Sequence, residues 1–490
     1  MKELRTNYGW LLENFKAVSI IQSATDIVRW DMETYMPPKG ITLRSEELAL
    51  LSEIEYQRVT DPKVGILLET LEKEGGNQNL DLLQKRNVAI IRKNYEEQVK
   101  IPQKLVSEIA KHEALVTDIW KKAKAGKNFS MFAPELESLV DLKREYAEIL
   151  QDVKKTETSY DALIDIYEPK ITARTITGIF NKLKRGVRSL IEKCQRSKKQ
   201  PDVSVLQRKV PIPLQKKISQ TLAEFVKYDT ASKKAGGRID ETEHPFTSGY
   251  YNDVRITTHY YENNVTSSIF SVLHESGHAL YEQNLNSKWM YQPIGAICSH
   301  GIHESQSRFV ENIVGRSPEF WRFFLPKLKR ATGNLFSDSG LDDFVFAINK
   351  VKPSKIRIEA DEVTYCLHII IRFEIERDLM AHRISVKDLP HVWNQKYREY
   401  LDVNIEQDSE GVLQDTHWAS GAIGYFPSYA LGNIYSGQML SKMQKDLPDW
   451  KDHVIHGDFQ SVKLWLRKNV YQYGKLYDPE DLIKKLPGKK

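Results

Sequence analysis

Through most of the first 230 residues, apolar side chains recur every three or four positions with polar ones between them, the period of a helix that buries one face. Leu11, Leu12, Phe15 and Val18 show it at the start. The run Met36-Pro37-Pro38-Lys39-Gly40 interrupts the pattern, and a second helix follows with Leu48, Leu51 and Ile54 on one side. Further helices are predicted at about 80–99, 103–124, 134–155 and 174–196, with Pro134 in a first turn, where its missing N–H costs little. Residues 197–213, with Pro201, Pro211 and Pro213, read as a loop, after which the helical period resumes to about residue 228.

The character changes after Gly236-Gly237. His244-Pro245-Phe246 leads into the segment from Tyr250 to Tyr260, whose β-branched and aromatic residues alternate with polar ones, so a strand or hairpin is predicted. Helical patterns return at about 266–283, 302–314, 355–382 and 387–401. The expected fold is mainly α with a small β element in the middle.

Composition narrows the picture. A chain of 490 residues, 41% hydrophobic and 28% charged, is an ordinary globular protein able to bury a large core. Its net charge of +5 is spread along the length, apart from a short tail of Lys484, Lys485, Lys489 and Lys490, so no nucleic-acid partner is expected. Cys194, Cys298 and Cys366 lie far apart and match no zinc-finger or redox spacing, which points to a reduced, cytoplasmic setting. No secretory leader is evident and no apolar stretch approaches the length of a membrane span, so no membrane partner is expected.

The sharpest chemical signal is His274-Glu275-Ser276-Gly277-His278, inside a segment that Ile269, Val272 and Leu280 mark as a buried helix. Residues four apart differ by about 40° around a helix, so both imidazoles can reach one zinc ion, with Glu275 close to a water bound there. Zinc lowers the pKa of that water toward about 7, and the glutamate can take its proton as it attacks a carbonyl. The bland alternative is a pair of core histidines that match the motif by chance. A catalytic zinc needs a third protein ligand and an open position. Asn284 stands where a metzincin would carry histidine, which excludes that branch. Downstream, His300, His303 and Glu304 all offer a third ligand from another helix, and chemistry alone does not choose among them.

Arg357 and Asp361 are four apart on a predicted helix, so the carboxylate can steady the guanidinium while its free edge takes an anion. A surface ion pair worth a few tenths of a kcal/mol explains the same spacing. Farther on, His417, Tyr425 and Tyr429 occupy a glycine-containing stretch and can donate hydrogen bonds to a tetrahedral oxyanion, although taken alone they fit a structural role better, with aromatic packing and turn chemistry explaining most of them.

In combination these segments resemble the carboxypeptidase Taq family of metallocarboxypeptidases. The likeness is carried by Trp30-Asp31-Met32-Glu33-Thr34-Tyr35-Met36-Pro37, His244-Pro245-Phe246, Asp253-Val254-Arg255-Ile256-Thr257 and His274-Glu275-Ser276-Gly277-His278. It continues in His303-Glu304-Ser305-Gln306, Ile356-Arg357-Ile358-Glu359-Ala360-Asp361 and Gly411-Val412-Leu413-Gln414-Asp415-Thr416-His417-Trp418, so it spans nearly the whole chain. The resemblance implies that His274, His278 and Glu304 bind zinc, with cobalt or manganese acceptable to the same donors, and that Glu275 is the general base. It also implies a single catalytic domain over 1–490, nearly all helical. Its portions of about 1–230 and 231–490 flank a deep groove with a short sheet nearby, and the assembly is a homodimer.

The activity implied is removal of single amino acids from the free C-termini of peptides, with broad specificity. A terminal carboxylate carries a charge that internal peptide bonds lack, and an arginine can reward that pose alone. The family motifs point to Arg357 and Arg255 for this, with Asp253, His244 and Gln414 as further substrate-binding residues. The strand around Arg255 can also pair with an extended peptide. A looser likeness to other helical zinc peptidases makes His417 the oxyanion donor, with Tyr425 or Tyr429 as its partner. A zinc endopeptidase or dipeptidyl carboxypeptidase is the close alternative. A noncatalytic helical metal-binding protein is the remote one.

Overall fold

A computed structural model of the chain describes residues 2–73, 78–333 and 335–486, so Lys489 and Lys490 lie outside the described residues. The fold is mainly α. A long helix, Lys2–Thr34, is followed after the proline break by Ile41–Val59, and the later expected helices appear as Leu82–Lys100, Gln103–Ala125, Phe129–Lys154 and Ala173–Arg196. The helix expected at 134 starts earlier, at Phe129, because Asn128 accepts the Ser130 N–H and caps it there; Pro134 is carried inside the helix.

Contacts gather the chain into two compact units that interleave along the sequence instead of dividing near residue 230. One comprises residues 1–98, 202–348 and 432–490, the other 99–201 and 349–431. Each has its own core. In the first, Val254, Ile256, Ile269, Leu273, Leu280, Phe309 and Trp321 are buried together; in the second, Phe132, Ile164, Phe180, Ile370, Trp393 and Phe426.

The β element belongs to the first unit and has three strands, β1 (Gly237–Glu241), β2 (Thr247–Tyr250) and β3 (Asp253–Thr258), in the order β1-β3-β2. β2 and β3 form the expected hairpin with Thr247 opposite Ile256, while β1 runs parallel to β3. The first four residues of β3 alternate in burial, placing Val254 and Ile256 in the core and Arg255 on the other face, while Thr257 and Thr258 after them are both buried.

Against this sheet lies the helix Val265–Gln283, which carries both motif histidines and is capped by Asn264, whose side chain accepts the Ser267 N–H. It is buried on nearly all sides. Its C-terminal half packs on the helix His300–Arg308, whose start is capped by Ser299. The predicted helix at 302–314 is in fact two pieces, since Phe309–Val314 continues as a π-turn, a form that recurs at functional sites. Gly277 allows the two helices to meet: a Cβ on it would stand 2.5 Å from the Gln306 carbonyl oxygen and 2.6 Å from Ser307 Cα.

One predicted helix is corrected. Residues 355–364 are not helical apart from the short 3-10 turn Arg357–Glu359, and the helix begins at Tyr365 and ends at Met380. Asp361 explains the late start, because its carboxylate accepts the N–H groups of Val363 and Thr364 and the Thr364 hydroxyl, an arrangement that competes with helix. Among the described residues no helix is long and apolar enough to cross a membrane, and no disulfide joins Cys194, Cys298 and Cys366.

The tight helix crossing yields a prediction. Gly277→Ala should destabilise the protein by about 1–3 kcal/mol through overpacking against backbone that cannot swing aside, read as a lowered Tm in thermal denaturation.

Candidate active site

Two clusters of polar side chains hold the residues singled out by sequence, one in each unit. In the first, His274 and His278 project from neighbouring turns of Val265–Gln283, and Glu304 comes from His300–Arg308. One ligand atom from each lies within 4.8 Å of the others, with Glu304 Oε2 at 3.6 Å from His274 Nε2 and 3.4 Å from His278 Nε2. These distances suit a single ion between them, so the donors fit the zinc site expected of H-E-x-x-H with a distant glutamate.

Of the three residues left open as third ligand, Glu304 is the one that converges with His274 and His278. His303 instead stacks on His278 with ring centroids 4.3 Å apart and faces Glu282 at 3.2 Å, and His300 stands outside the converging group.

The far side of each histidine is engaged. Glu311 Oε2 accepts from His274 Nδ1 at 2.8 Å, and the His303 carbonyl accepts from His278 Nδ1 at 3.1 Å. Such partners fix the tautomer so that both Nε2 atoms face the site with a lone pair. Burial and the neighbouring His303 push the His278 imidazole down to about 3, which keeps it neutral and able to ligate. For His274 burial acts the same way, but Glu304 and the hydrogen bond to Glu311 outweigh it and raise the pKa. Burial works against ionised Glu304, yet Arg308 and the two histidines hold its carboxyl far below the usual range.

Glu275 faces the sheet. Its Oε2 accepts the Thr247 hydroxyl of β2 at 2.6 Å, and burial raises its pKa against the opposing pull of His274 and Thr247. Thr247, Arg308 and Glu311 were not singled out in the sequence. A threonine in a strand carries no visible signal, whereas Glu304, Arg308 and Glu311 stand at i, i+4 and i+7, a one-sided polar stripe that marks the pair in hindsight.

Arg255 and Asp253 are on β3, where the carboxylate accepts from Arg255 Nε and Nη2, both at 2.8 Å. The Arg255 guanidinium lies over the Trp30 ring at 4.3 Å, and Arg238 reaches the same ring at 4.7 Å, which gives the N-terminal motif a structural task. His244 is in the loop between β1 and β2.

The second cluster centres on Asp415. The predicted Arg357–Asp361 pair does not form, because both residues sit outside a helix and Asp361 is spent on its turn. Asp415 Oδ1 instead accepts from Arg357 Nε at 2.9 Å, and Oδ2 accepts from Arg372 Nε at 2.6 Å. Arg357 Nη1 donates to the Tyr365 hydroxyl at 3.2 Å. Although burial opposes the charge on Asp415, the two arginines drive its pKa far below the carboxylate range.

Gln414 is committed to protein: its oxygen accepts from the Arg357 backbone N–H and Arg372 Nη2, and its nitrogen donates to the carbonyls of Lys355 and Glu410. His417 Nε2 lies 3.0 Å from the Tyr429 hydroxyl, and the Tyr425 and Tyr429 rings are 5.1 Å apart, so the three predicted residues do meet. Burial, then the nearby Arg357, push His417 down to about 3, which leaves it neutral at physiological pH. Its Nδ1 is buried without a hydrogen-bond partner among the described residues.

The chain is similar to known proteins over nearly its whole length. Residues 10–490 match the family described as carboxypeptidase Taq (M32) metallopeptidase. The chain is 38% identical to carboxypeptidase 1 of Bacillus subtilis (strain 168), an alignment covering 99% of this chain and 95% of that protein. It is also 38% identical to thermostable carboxypeptidase 1 of Thermus thermophilus, covering 98% and 95%. A solved structure of the Pyrococcus furiosus carboxypeptidase superposes with a TM-score of 0.93 at 34% identity, covering 99% of this chain and 96% of that one.

The Asp415 cluster predicts a pH-dependent loss of stability. A carboxyl with a depressed folded pKa contributes stability above its unfolded value of about 3.9 and loses it as pH falls toward the folded value. Asp415→Asn should therefore cost about 3–5 kcal/mol at pH 7, and the gap to the parent should narrow below about pH 4, as measured by denaturant unfolding at both pH values.

Proposed function

The chain belongs to the carboxypeptidase Taq (M32) metallopeptidase family, and on that footing we propose that it removes single amino acids from the free C-termini of peptides at a zinc site formed by His274, His278 and Glu304. Carrying the reading is the convergence of those three side chains with Glu275 between the histidines on one buried helix. When bound, the ion supplies Lewis acidity that polarises the scissile carbonyl and makes water acidic near neutral pH; cobalt or manganese suits the same donors.

Glu275 acts as the general base, taking the proton of the attacking water and passing it to the leaving amine. Thr247 supports this role by occupying Oε2, which leaves Oε1 for the proton. The raised pKa of the buried carboxyl brings its basicity closer to the working pH.

Arg357 grips the terminal carboxylate. A guanidinium has five N–H groups. Asp415 and Tyr365 draw on all three of its nitrogens, but each terminal nitrogen carries a second hydrogen, so the edge between them can still meet a carboxylate bidentately. Gln414 serves by fixing the Arg357 backbone. Arg255 is the second candidate, with Nη1 as the nitrogen that Asp253 does not take, and β3 around it suits an extended peptide.

His417 and Tyr429 stabilise the oxyanion. If Tyr429 donates to Nε2, His417 carries its N–H at Nδ1. Tyr425 packs beside both rings.

Mass spectrometry of unmodified peptides of varied C-terminal residue, incubated with the purified protein, tests the activity. The expected result is a ladder of single-residue losses across most peptides, abolished by a chelator and restored by zinc or cobalt. In the same assay Glu275→Gln should keep its metal and lose about 10²–10⁴-fold in rate. Internal cuts or dipeptide losses would point to the related endopeptidase or dipeptidyl carboxypeptidase, and intact peptide under every metal condition would return the reading to a noncatalytic metal-binding protein.

Arg357→Ala should lower kcat/KM on free C-termini by about 30-fold or more, the equivalent of a lost charge-assisted pair, while activity on C-terminally amidated peptides stays low in both proteins. Equal parental rates on free and amidated peptides would refute a carboxylate clamp.

A further inference from the structure

The two oxygens of Glu304 have different neighbours. Oε2 faces His274 and His278 and is touched by the Ser307 hydroxyl at 3.1 Å, a group that also donates to the Glu304 carbonyl at 2.6 Å. Oε1 turns away and accepts from Arg308 Nε at 2.6 Å. The same guanidinium reaches Glu311 Oε2 at 3.3 Å through Nη1, and that oxygen is the one that orients His274. Arg308 thus ties a ligand carboxylate to the outer partner of a ligand histidine. It is almost buried itself, and the three residues form one stripe across the end of His300–Arg308 and the π-turn after it.

A carboxylate can bind a metal through one oxygen or both, and binding through both fills a position that a hydrolytic site needs open. We infer that Arg308 is a positioning residue that confines Glu304 to ligation through Oε2 alone, by holding Oε1 in a charge-assisted hydrogen bond. The inference rests on the reading that His274, His278 and Glu304 hold a metal. Glu311 keeps a second cationic partner without Arg308, since Arg316 Nη2 donates to its other oxygen at 3.3 Å. Removing Arg308 therefore acts mainly on Glu304.

The test compares the parent with Arg308→Met and Arg308→Lys. Visible absorption of the cobalt-loaded protein reports coordination number, and competition with a chelating indicator reports zinc affinity. Thermal melting of the metal-free protein reports folding. In Arg308→Met the released Oε1 should add a ligand, so the cobalt bands lose intensity, and zinc affinity should fall by about 10–100-fold. Arg308→Lys retains the charge without the planar fork and should lie between Met and parent; it carries the test if the Met variant does not fold. Parental cobalt spectra and affinity in Arg308→Lys and in any folded Arg308→Met, even with a lowered metal-free Tm, would reduce Arg308 to a structural residue and overturn the inference. A parent that binds neither ion would instead overturn the ligand reading, and the inference with it.

Discussion

Two imidazoles and a carboxylate brought within 4.8 Å of one another in a buried space impose the terms on the first unit. Buried charge is costly unless it is paired and hydrogen-bonded, so these side chains need partners of their own. The protein answers with a second layer of partners. Glu311 and the His303 carbonyl take the far nitrogens of the histidines, Arg308 takes one oxygen of Glu304, and Thr247 takes one oxygen of Glu275. Each of these side chains thereby has one face committed to the scaffold.

That layer in turn dictates the packing. The histidine helix must touch the sheet through Glu275 and the Glu304 helix through its other side, so it is buried on nearly all sides, and small residues stand at the contacts. Gly277 lets the Gln306 and Ser307 backbone approach, and Gly432 leaves room for the side chain of Glu304, whose Cγ would lie 2.5 Å from a Cβ there. The packing is close where these side chains meet.

The second unit uses the same principle on an anion partner. Asp415 sits between Arg357 and Arg372, with the latter fully buried, and Gln414 braces both. A guanidinium held this firmly gives up little side-chain freedom on meeting a carboxylate. The same positive charge, added to burial, keeps His417 neutral, which suits an imidazole that donates a hydrogen bond rather than one that carries charge.

Local pattern was enough for what depends on local pattern. The 3.6-residue period set the helices Leu82–Lys100, Gln103–Ala125, Phe129–Lys154 and Ala173–Arg196 and the histidine helix, and the alternation from Tyr250 set β3, because burial of one face leaves its period in the sequence, whereas the short helix Ser159–Tyr167 left no such signal. The spacing of His274 and His278 placed two ligands on one helix face for the same reason. Only the tertiary structure decided what pairs across long separations. It brought Glu304, rather than His300 or His303, to the two histidines, gave Arg357 to Asp415 rather than to its near neighbour Asp361, and supplied Thr247 to Glu275 from a strand. Spacing on a helix constrains direction only within that helix. Which groups meet from different elements is set by how those elements pack, and the sequence alone determined the first and left the second to the fold.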